Sequence, residues 1–236
     1  MDQQTIGHSR FGASAAHRWM RCPASVQACM GLPNPSSPAA EEGTMLHEVA
    51  ANTLYGLSHD YLLTDEQQDV VDAYVNFVKA QTGNGELYIE TRFKLSYHSE
   101  FWGTADAVIV RGDDMHVIDL KAGRGVAVEA DYHGKVNPQL GFYALGACSY
   151  LKRYDWNTIK ISIVQPRFGG IKTRVVTHLE LMDLASDMVH AAELAESEKP
   201  PFEAGSHCKF CLARSTCPAL REMVYELARM DFDAVV

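Results

Sequence analysis

Asp106, Asp119 and Lys121 are residues whose types and spacing can do chemistry. Val117 and Ile118 lead an apolar run straight into Asp119, Leu120 and Lys121, and a buried strand normally excludes such charges. Asp119 and Lys121 are two apart, so on a strand both point to one face while Leu120 points into the opposite layer. Asp106 stands on the segment before, and a tight hairpin would lay it beside Asp119 within reach of one ion. Two carboxylates and a backbone carbonyl, that of Leu120, suit a hard cation such as Mg²⁺ or Mn²⁺. Such an ion polarises a phosphodiester and lowers the pKa of an attacking water, while Lys121 steadies developing charge or orients that water. The bland alternative is a strand end holding an exposed salt bridge.

A second constellation is made of thiols. Cys208, Cys211 and Cys217 follow the spacing C-x₂-C-x₅-C, and a fourth ligand would complete the set for a zinc ion or a [4Fe–4S] cluster. Cys22 is the best candidate, since its Cys-Pro pair echoes Cys217-Pro218 and a proline there keeps the chain turned and removes a competing donor. His207 is the rival: it would replace Cys22 and close a compact local Cys₃His zinc site. Cys29 and Cys148 fit no spacing and read as buried thiols.

These residues need a scaffold, and 236 residues with 47% apolar content can bury a full core in one domain. No stretch is apolar enough to span a membrane, and the first residues lack the order of a signal peptide. The expectation is a soluble cytoplasmic protein, in which six cysteines favour metal over structural disulfides. A net charge of −9 argues against a protein that coats nucleic acid non-specifically. Its basic residues nevertheless group around Arg10, Arg18 and Arg21, around Lys121, Arg124 and Lys135, and around Arg167, Lys172 and Arg174.

The front part, 1–85, reads as helical. One helix holds Trp19, a loop covers Gly31 to Ala40, and a second helix runs from Glu41 to Leu54. A third opens at Thr64 with Gln67 three residues on, a capping box, and carries Val70, Val71, Tyr74, Phe77 and Val78 at helical spacing. In 86–180, "ELYIETRFKL", "FWGTADAVIVRG" and "MHVIDLK" form a three-strand meander with a turn at Gly112 to Asp114. Asn137 and Pro138 then cap and open a helix to about Leu151, and two further strands flank Gly169 and Gly170. Segment 181–236 holds a long helix from about Leu181 to Glu198 and then the cysteines. Gln139 and Tyr143, four apart on one helix face, are placed to contact a base or phosphate.

With these residues in view, the chain resembles PD-(D/E)XK nucleases of the RecB type. "GTAD" at Gly103 to Asp106, "DLK" at Asp119 to Lys121 and "QLGFY" at Gln139 to Tyr143 look like that family's second, third and following motifs. "GTMLH" at Gly43 to His47 looks like the first, in which a histidine from an early helix joins the metal site. Four motifs in order over about a hundred residues are far more specific than any one of them. The resemblance implies an α/β (α+β) restriction-endonuclease-like core, a mixed central sheet flanked by helices. It also implies metal ligation by His47, Asp106, Asp119 and the Leu120 carbonyl, and catalytic roles for Asp106, Asp119, Lys121, Gln139 and Tyr143. Gln139, Tyr143 and Arg124 would contact nucleic acid. Taken alone, His47 is an ordinary helix residue; Glu48 projects about 100° away from it, and Glu90 on the first strand is a reserve ligand.

One cysteine before these motifs and three after them resemble the iron–sulfur staple of AddB-type nucleases and of the CRISPR-adaptation nuclease family. That implies a [4Fe–4S] cluster on Cys22, Cys208, Cys211 and Cys217 joining the two ends of the chain, with Zn²⁺ the alternative. The implied activity is that of a metal-dependent exonuclease acting on DNA in phage or bacterial recombination and repair, inside the bacterial host cell. Its partner would be a single-strand annealing protein or helicase. A catalytically silent nucleic-acid-binding module and a structure-selective endonuclease are the other readings. Oligomeric state and cleavage polarity have no signature here.

Overall fold

The computed structural model describes residues 9–132 and 134–233; the opening residues 1–8, read above as lacking signal-peptide order, lie outside these. After a single 3₁₀ turn at Ala13–Ala15 come two short helices, α1 (Ala16–Trp19) and α2 (Ala24–Ala28), where the sequence suggests one. Pro23 sits between them, after a turn closed by the Cys22 N–H on the Arg18 carbonyl. Helix α3 (Pro38–Tyr55) starts before the expected Glu41, because Ser37 accepts from the Ala40 N–H and Pro38 takes the first turn. Helix α4 (Asp65–Thr82) opens on Thr64 with both bonds of the capping box to Gln67 formed.

Strands β1 (Glu86–Lys94), β2 (Trp102–Arg111) and β3 (Asp114–Leu120) make the expected antiparallel meander. A small hairpin, β4 (Asp131–Tyr132) and β5 (Lys135–Val136), then leads into α5 (Pro138–Leu151), whose cap Asn137 accepts from the Gln139 and Leu140 N–H groups. Strand β6 (Thr158–Gln165) returns parallel to β3, β7 (Gly170–Val176) pairs antiparallel with β6, and the sheet order is β1-β2-β3-β6-β7. Helix α6 (His178–Glu196) and helix α7 (Pro218–Asp233) close the chain. The mixed central sheet flanked by helices is the α/β architecture expected from the sequence.

The sheet separates two cores. Leu46, Val49, Val70, Val71, Tyr74 and Val78 of α3 and α4 pack with Ala107, Ile118 and Leu120 on one face. On the other, Trp19, Phe101 and the residues of α5 and α6 pack with Val108, Val117 and Ile161. Val117 and Ile118 therefore serve opposite layers, the alternation that the strand period dictates. Helix α5 is buried over most of its length, and Gly141 lets α6 approach it. A Cβ there would meet Leu184 Cδ2 at 2.2 Å, so even alanine overpacks this contact.

Among the described residues no helix is long and apolar enough to cross a membrane. The three basic groups are largely neutralised where they stand. Arg10 pairs with Glu196, Arg21 with Glu203 and Arg124 with Glu66; Arg167 pairs with Glu42 and Glu66, Lys172 with Glu129, and Arg174 with Asp131 and Glu180. The negative net charge thus coexists with local balance.

Candidate active site

Strand register brings the acids together. In the β1–β2 ladder Ile89 faces Ala107 and Thr91 faces Ala105, so Glu90 lies opposite Asp106. In the β2–β3 ladder Ala107 faces Ile118, and one step further Asp106 comes level with Asp119. Glu90, Asp106 and Asp119 thereby form a row across three neighbouring strands, and neither step of that row is paired as ladder. Glu90 has a φ of 44°. A non-glycine residue held in the left-handed region costs on the order of 1–3 kcal/mol, and such strain gathers at functional sites.

Helix α3 supplies the histidine. Leu46 and Val49 bury one face of α3, which leaves His47 beside the acidic row, its Nδ1 3.2 Å from Asp106 Oδ1. Among the described residues, His47, Glu90 and Asp106 are the one trio of His, Cys, Asp or Glu whose ligand atoms all lie within 4.8 Å of one another. His47 and Glu90 are thus not alternatives, as the sequence reading has them, but neighbours. Burial pulls the His47 imidazole down, yet the Asp106 and Asp119 carboxylates outweigh it and lift its pKa to about 9. Partial burial raises the Glu90 carboxyl to about 7, with Asp106 adding to the push and His47 opposing it.

The other half of the row is held by hydrogen bonds. Asp106 Oδ2 accepts from the backbone N–H of Leu120 at 2.7 Å, which ties β2 to the end of β3. Gln139, in the first turn of α5, donates to Asp119 Oδ1 at 2.9 Å and accepts from Lys121 Nζ at 2.7 Å. Asp119 is buried, and its Oδ2 has Lys121 Nζ 2.8 Å away but no hydrogen bond of acceptable angle. Burial pushes the Asp119 carboxyl up against the pull of the Lys121 ammonium. Burial tends to lower Lys121, and its two aspartates more than offset that. The donor set fits a divalent cation: carboxylates and an imidazole converge, the ligand atoms of His47, Glu90 and Asp106 lying within 4.8 Å of one another.

Tyr143 requires a correction. Its ring is 3% exposed, packed near Phe142 and against Gly103, where a Cβ would meet Tyr143 Cε1 at 3.1 Å. The ring is closed to a stacking base, and its hydroxyl accepts from Gln139 Nε2 at 3.2 Å. Gln139 is likewise committed internally, to Lys121, Asp119 and Tyr143. Tyr143 is thus closed to the base contact expected of it, whereas Gln139 is part-buried and bonds residues of the row. The glycine of "GTAD" is explained by the same packing. Arg124 is exposed and pairs with Glu66 at the start of α4.

Cys22, Cys208, Cys211 and Cys217 do line one pocket, together with Arg18, Phe202 and His207. A single zinc with Zn–S near 2.3 Å needs its sulfurs within about 4 Å of each other, and no three of these ligands lie within 4.8 Å. The pocket's free volume is about 10 Å³, roughly one water. His207 Nε2 is 2.9 Å from the Glu203 carbonyl oxygen, which leaves Nδ1 as its ring nitrogen for a metal. Cys29, read as an unrelated buried thiol, is partly exposed, and its sulfur lies 3.7 Å from that of Cys211. Nothing in local spacing signals a contact between residues 182 apart.

Three solved structures match along most of the chain's length. A protein solved as SSO0001 is 16% identical over 92% of this chain and 90% of its own, with a TM-score of 0.41. An alkaline exonuclease, LHK-Exo, from Laribacter hongkongensis is 12% identical over 78% of this chain and 91% of its own, TM-score 0.37. A phage related exonuclease from Haemophilus somnus 129PT is 15% identical over 82% and 96%, TM-score 0.35. The match that covers nearly the whole sequence, residues 8–236, is to a family described as a protein of unknown function, DUF2800, and the chain belongs to that family.

Proposed function

We propose that the chain is a divalent-metal-dependent nuclease of the PD-(D/E)XK type that hydrolyses DNA phosphodiester bonds, as an exonuclease in phage or bacterial recombination. The observation that carries this reading is the row of Glu90, Asp106 and Asp119, with His47 at one end and Lys121 at the other. His47, Glu90, Asp106 and Asp119 would hold Mg²⁺ or Mn²⁺, with the Leu120 carbonyl beside them. When bound, the ion supplies Lewis-acid polarisation of the phosphate and a water of lowered pKa.

The chain's own groups do the rest. Asp106 is fixed by the Leu120 N–H, so its free oxygen stays aimed toward His47. Lys121 places an ammonium beside Asp119, where it can donate to a phosphate oxygen as negative charge builds. Gln139 holds Lys121 and Asp119 in fixed relation by bonding both, and Tyr143 backs Gln139. Arg124, exposed beyond Lys121, would meet the polynucleotide backbone by exchanging Glu66 for a phosphate.

The cysteine pocket is a separate part of the proposal. Cys22, Cys208, Cys211 and Cys217 are the donor set for an iron–sulfur cluster. Its loading requires the pocket to open and Cys211 to leave Cys29. Iron and acid-labile sulfide near four each per chain, after anaerobic purification, are expected for this set; one zinc per chain without iron contradicts it. The nuclease reading is tested with end-labelled linear, nicked and circular DNA in Mg²⁺ or Mn²⁺. Metal-dependent loss of label from linear DNA, abolished in Asp106→Ala and Asp119→Ala, is the expected result. DNA binding without cleavage under all these conditions would instead indicate a silent binding module.

A further inference from the structure

Four of the thiols around the cysteine pocket are not equivalent. Cys22 accepts a hydrogen bond from the Glu203 N–H, and Cys208 accepts one from the Gly205 N–H, each at 3.4 Å. Cys29 and Cys211 instead face each other at 3.7 Å. Arg18 donates from Nη1 to the Cys29 sulfur at 3.6 Å and, from the same nitrogen, to Ser25 Oγ at 2.9 Å and the Ser25 carbonyl at 3.2 Å. That guanidinium grips the α2 backbone and holds the Cys29 side chain toward its partner. Both cysteines are partly exposed, so a small reagent reaches them.

We propose that Cys29 and Cys211 form a reversible disulfide that closes the cysteine pocket. A side-chain rotation brings sulfurs 3.7 Å apart to the bonding distance of about 2.05 Å. The co-reactant is a low-molecular-weight disulfide. One cysteine attacks it as thiolate and releases one small thiol, and the second cysteine then attacks the mixed disulfide and releases the other. The two cysteines lose two electrons and two protons; the reagent gains them as two thiols. The bond joins residue 29 to residue 211, clamps α2 against the C-terminal segment, and removes the Cys211 sulfur from any metal set. The proposal stands on the pair's geometry and not on the cluster reading, since it describes the metal-free chain.

The test uses the full-length protein, treated with chelator, reduced, desalted and exposed to oxidised glutathione. Free thiols are counted after denaturation, and the disulfide is located by peptide mapping. The expected result is a fall from the six cysteines of the sequence to about four, a cross-linked peptide joining Cys29 to Cys211, and full recovery with dithiothreitol. Cys29→Ser, with its fold checked by circular dichroism, should give no such peptide. Disulfides confined to Cys22, Cys208 and Cys217, or glutathione adducts on Cys29 that never resolve onto Cys211, overturn the proposal.

Discussion

The acidic row and the cysteine pocket both gather metal-capable side chains, and the backbone treats them differently. Glu90, Asp106 and Asp119 stand on adjacent strands, where register alone brings them level, and the Leu120 N–H and Gln139 fix two of them in place. Of the cysteines, Cys22 stands in the turn before α2 and Cys208 in a 3₁₀ turn, while Cys211 and Cys217 lie outside any helix or strand, so little regular structure sets the sulfurs. The first region is arranged before any ligand arrives. The second is folded shut, with one of its thiols turned to Cys29. A sheet delivers preorganisation through hydrogen bonds it must make anyway, whereas turns need the ligand itself to set the final geometry.

The largest effect expected from this contrast lies in the row. Asp106→Ala and Asp119→Ala should eliminate DNA cleavage while leaving the fold intact, and Lys121→Ala should lower turnover by about 10²–10³-fold with less effect on metal affinity. Initial-rate measurements over a metal titration separate the two. Near-normal turnover in the aspartate variants would mean that the row is structural.

Glu90 sharpens the comparison further, since its left-handed backbone is a local cost of the kind that gathers at functional sites. Glu90→Gln, which takes the charge from a direct ligand, should weaken Mn²⁺ binding by at least the roughly 10–100-fold that loss of a residue supporting a ligand costs, read by calorimetric titration. Glu90→Gly should stabilise the chain by relieving φ while losing the metal. A glycine variant that binds Mn²⁺ as tightly as wild type removes Glu90 from the site.

Stability against pH gives a control inside the same sheet. His116 on β3 is buried, its Nε2 2.7 Å from Ser162 Oγ. Burial, reinforced by Lys160 and Arg111, lowers its pKa to about 4. The unfolded chain therefore takes up a proton near pH 6.5 that the folded chain refuses until about 4. Stability present above pH 6.5 should be lost as pH falls through that window, by up to about 3 kcal/mol. His116→Gln should flatten this slope in denaturant titrations, and an unchanged slope would show that His116 does not set it. The raised Glu90 and Asp119 carboxyls contribute in the opposite sense, since the folded chain binds their protons first as pH falls. The smallest effect is expected at Tyr143→Phe, which removes one hydrogen bond to Gln139 for about 0.5–1.5 kcal/mol of stability, with DNA affinity unchanged.

Much of the row was legible in the sequence. Alternation located β1, β2 and β3, the turn at Gly112 to Asp114 set their order, and the Thr64–Gln67 and Asn137–Pro138 signals fixed where α4 and α5 begin. These are local patterns that the backbone obeys. Glu90's φ was not legible, because no residue type announces that a strand will twist out of its ladder. Spacing puts Tyr143 on one helix face with Gln139, ready for a base or phosphate, but cannot show that this helix is buried over most of its length. The hairpin of β4 and β5 is too short to show a period. The Cys29–Cys211 contact depends on how α2 docks against the far end of the chain, a long-range outcome that spacing cannot encode.

One measurement bears most directly on the central claim that the row is a divalent-metal centre for phosphodiester hydrolysis. End-labelled linear DNA is incubated with wild type and with Asp119→Asn, which keeps the side chain's shape and removes its charge, across a titration of Mg²⁺ and Mn²⁺ and in excess chelator. The account predicts label release by wild type that rises with metal and vanishes in chelator, and none above background by Asp119→Asn at any metal concentration. Equal release by both proteins, or release by wild type in chelator, contradicts it.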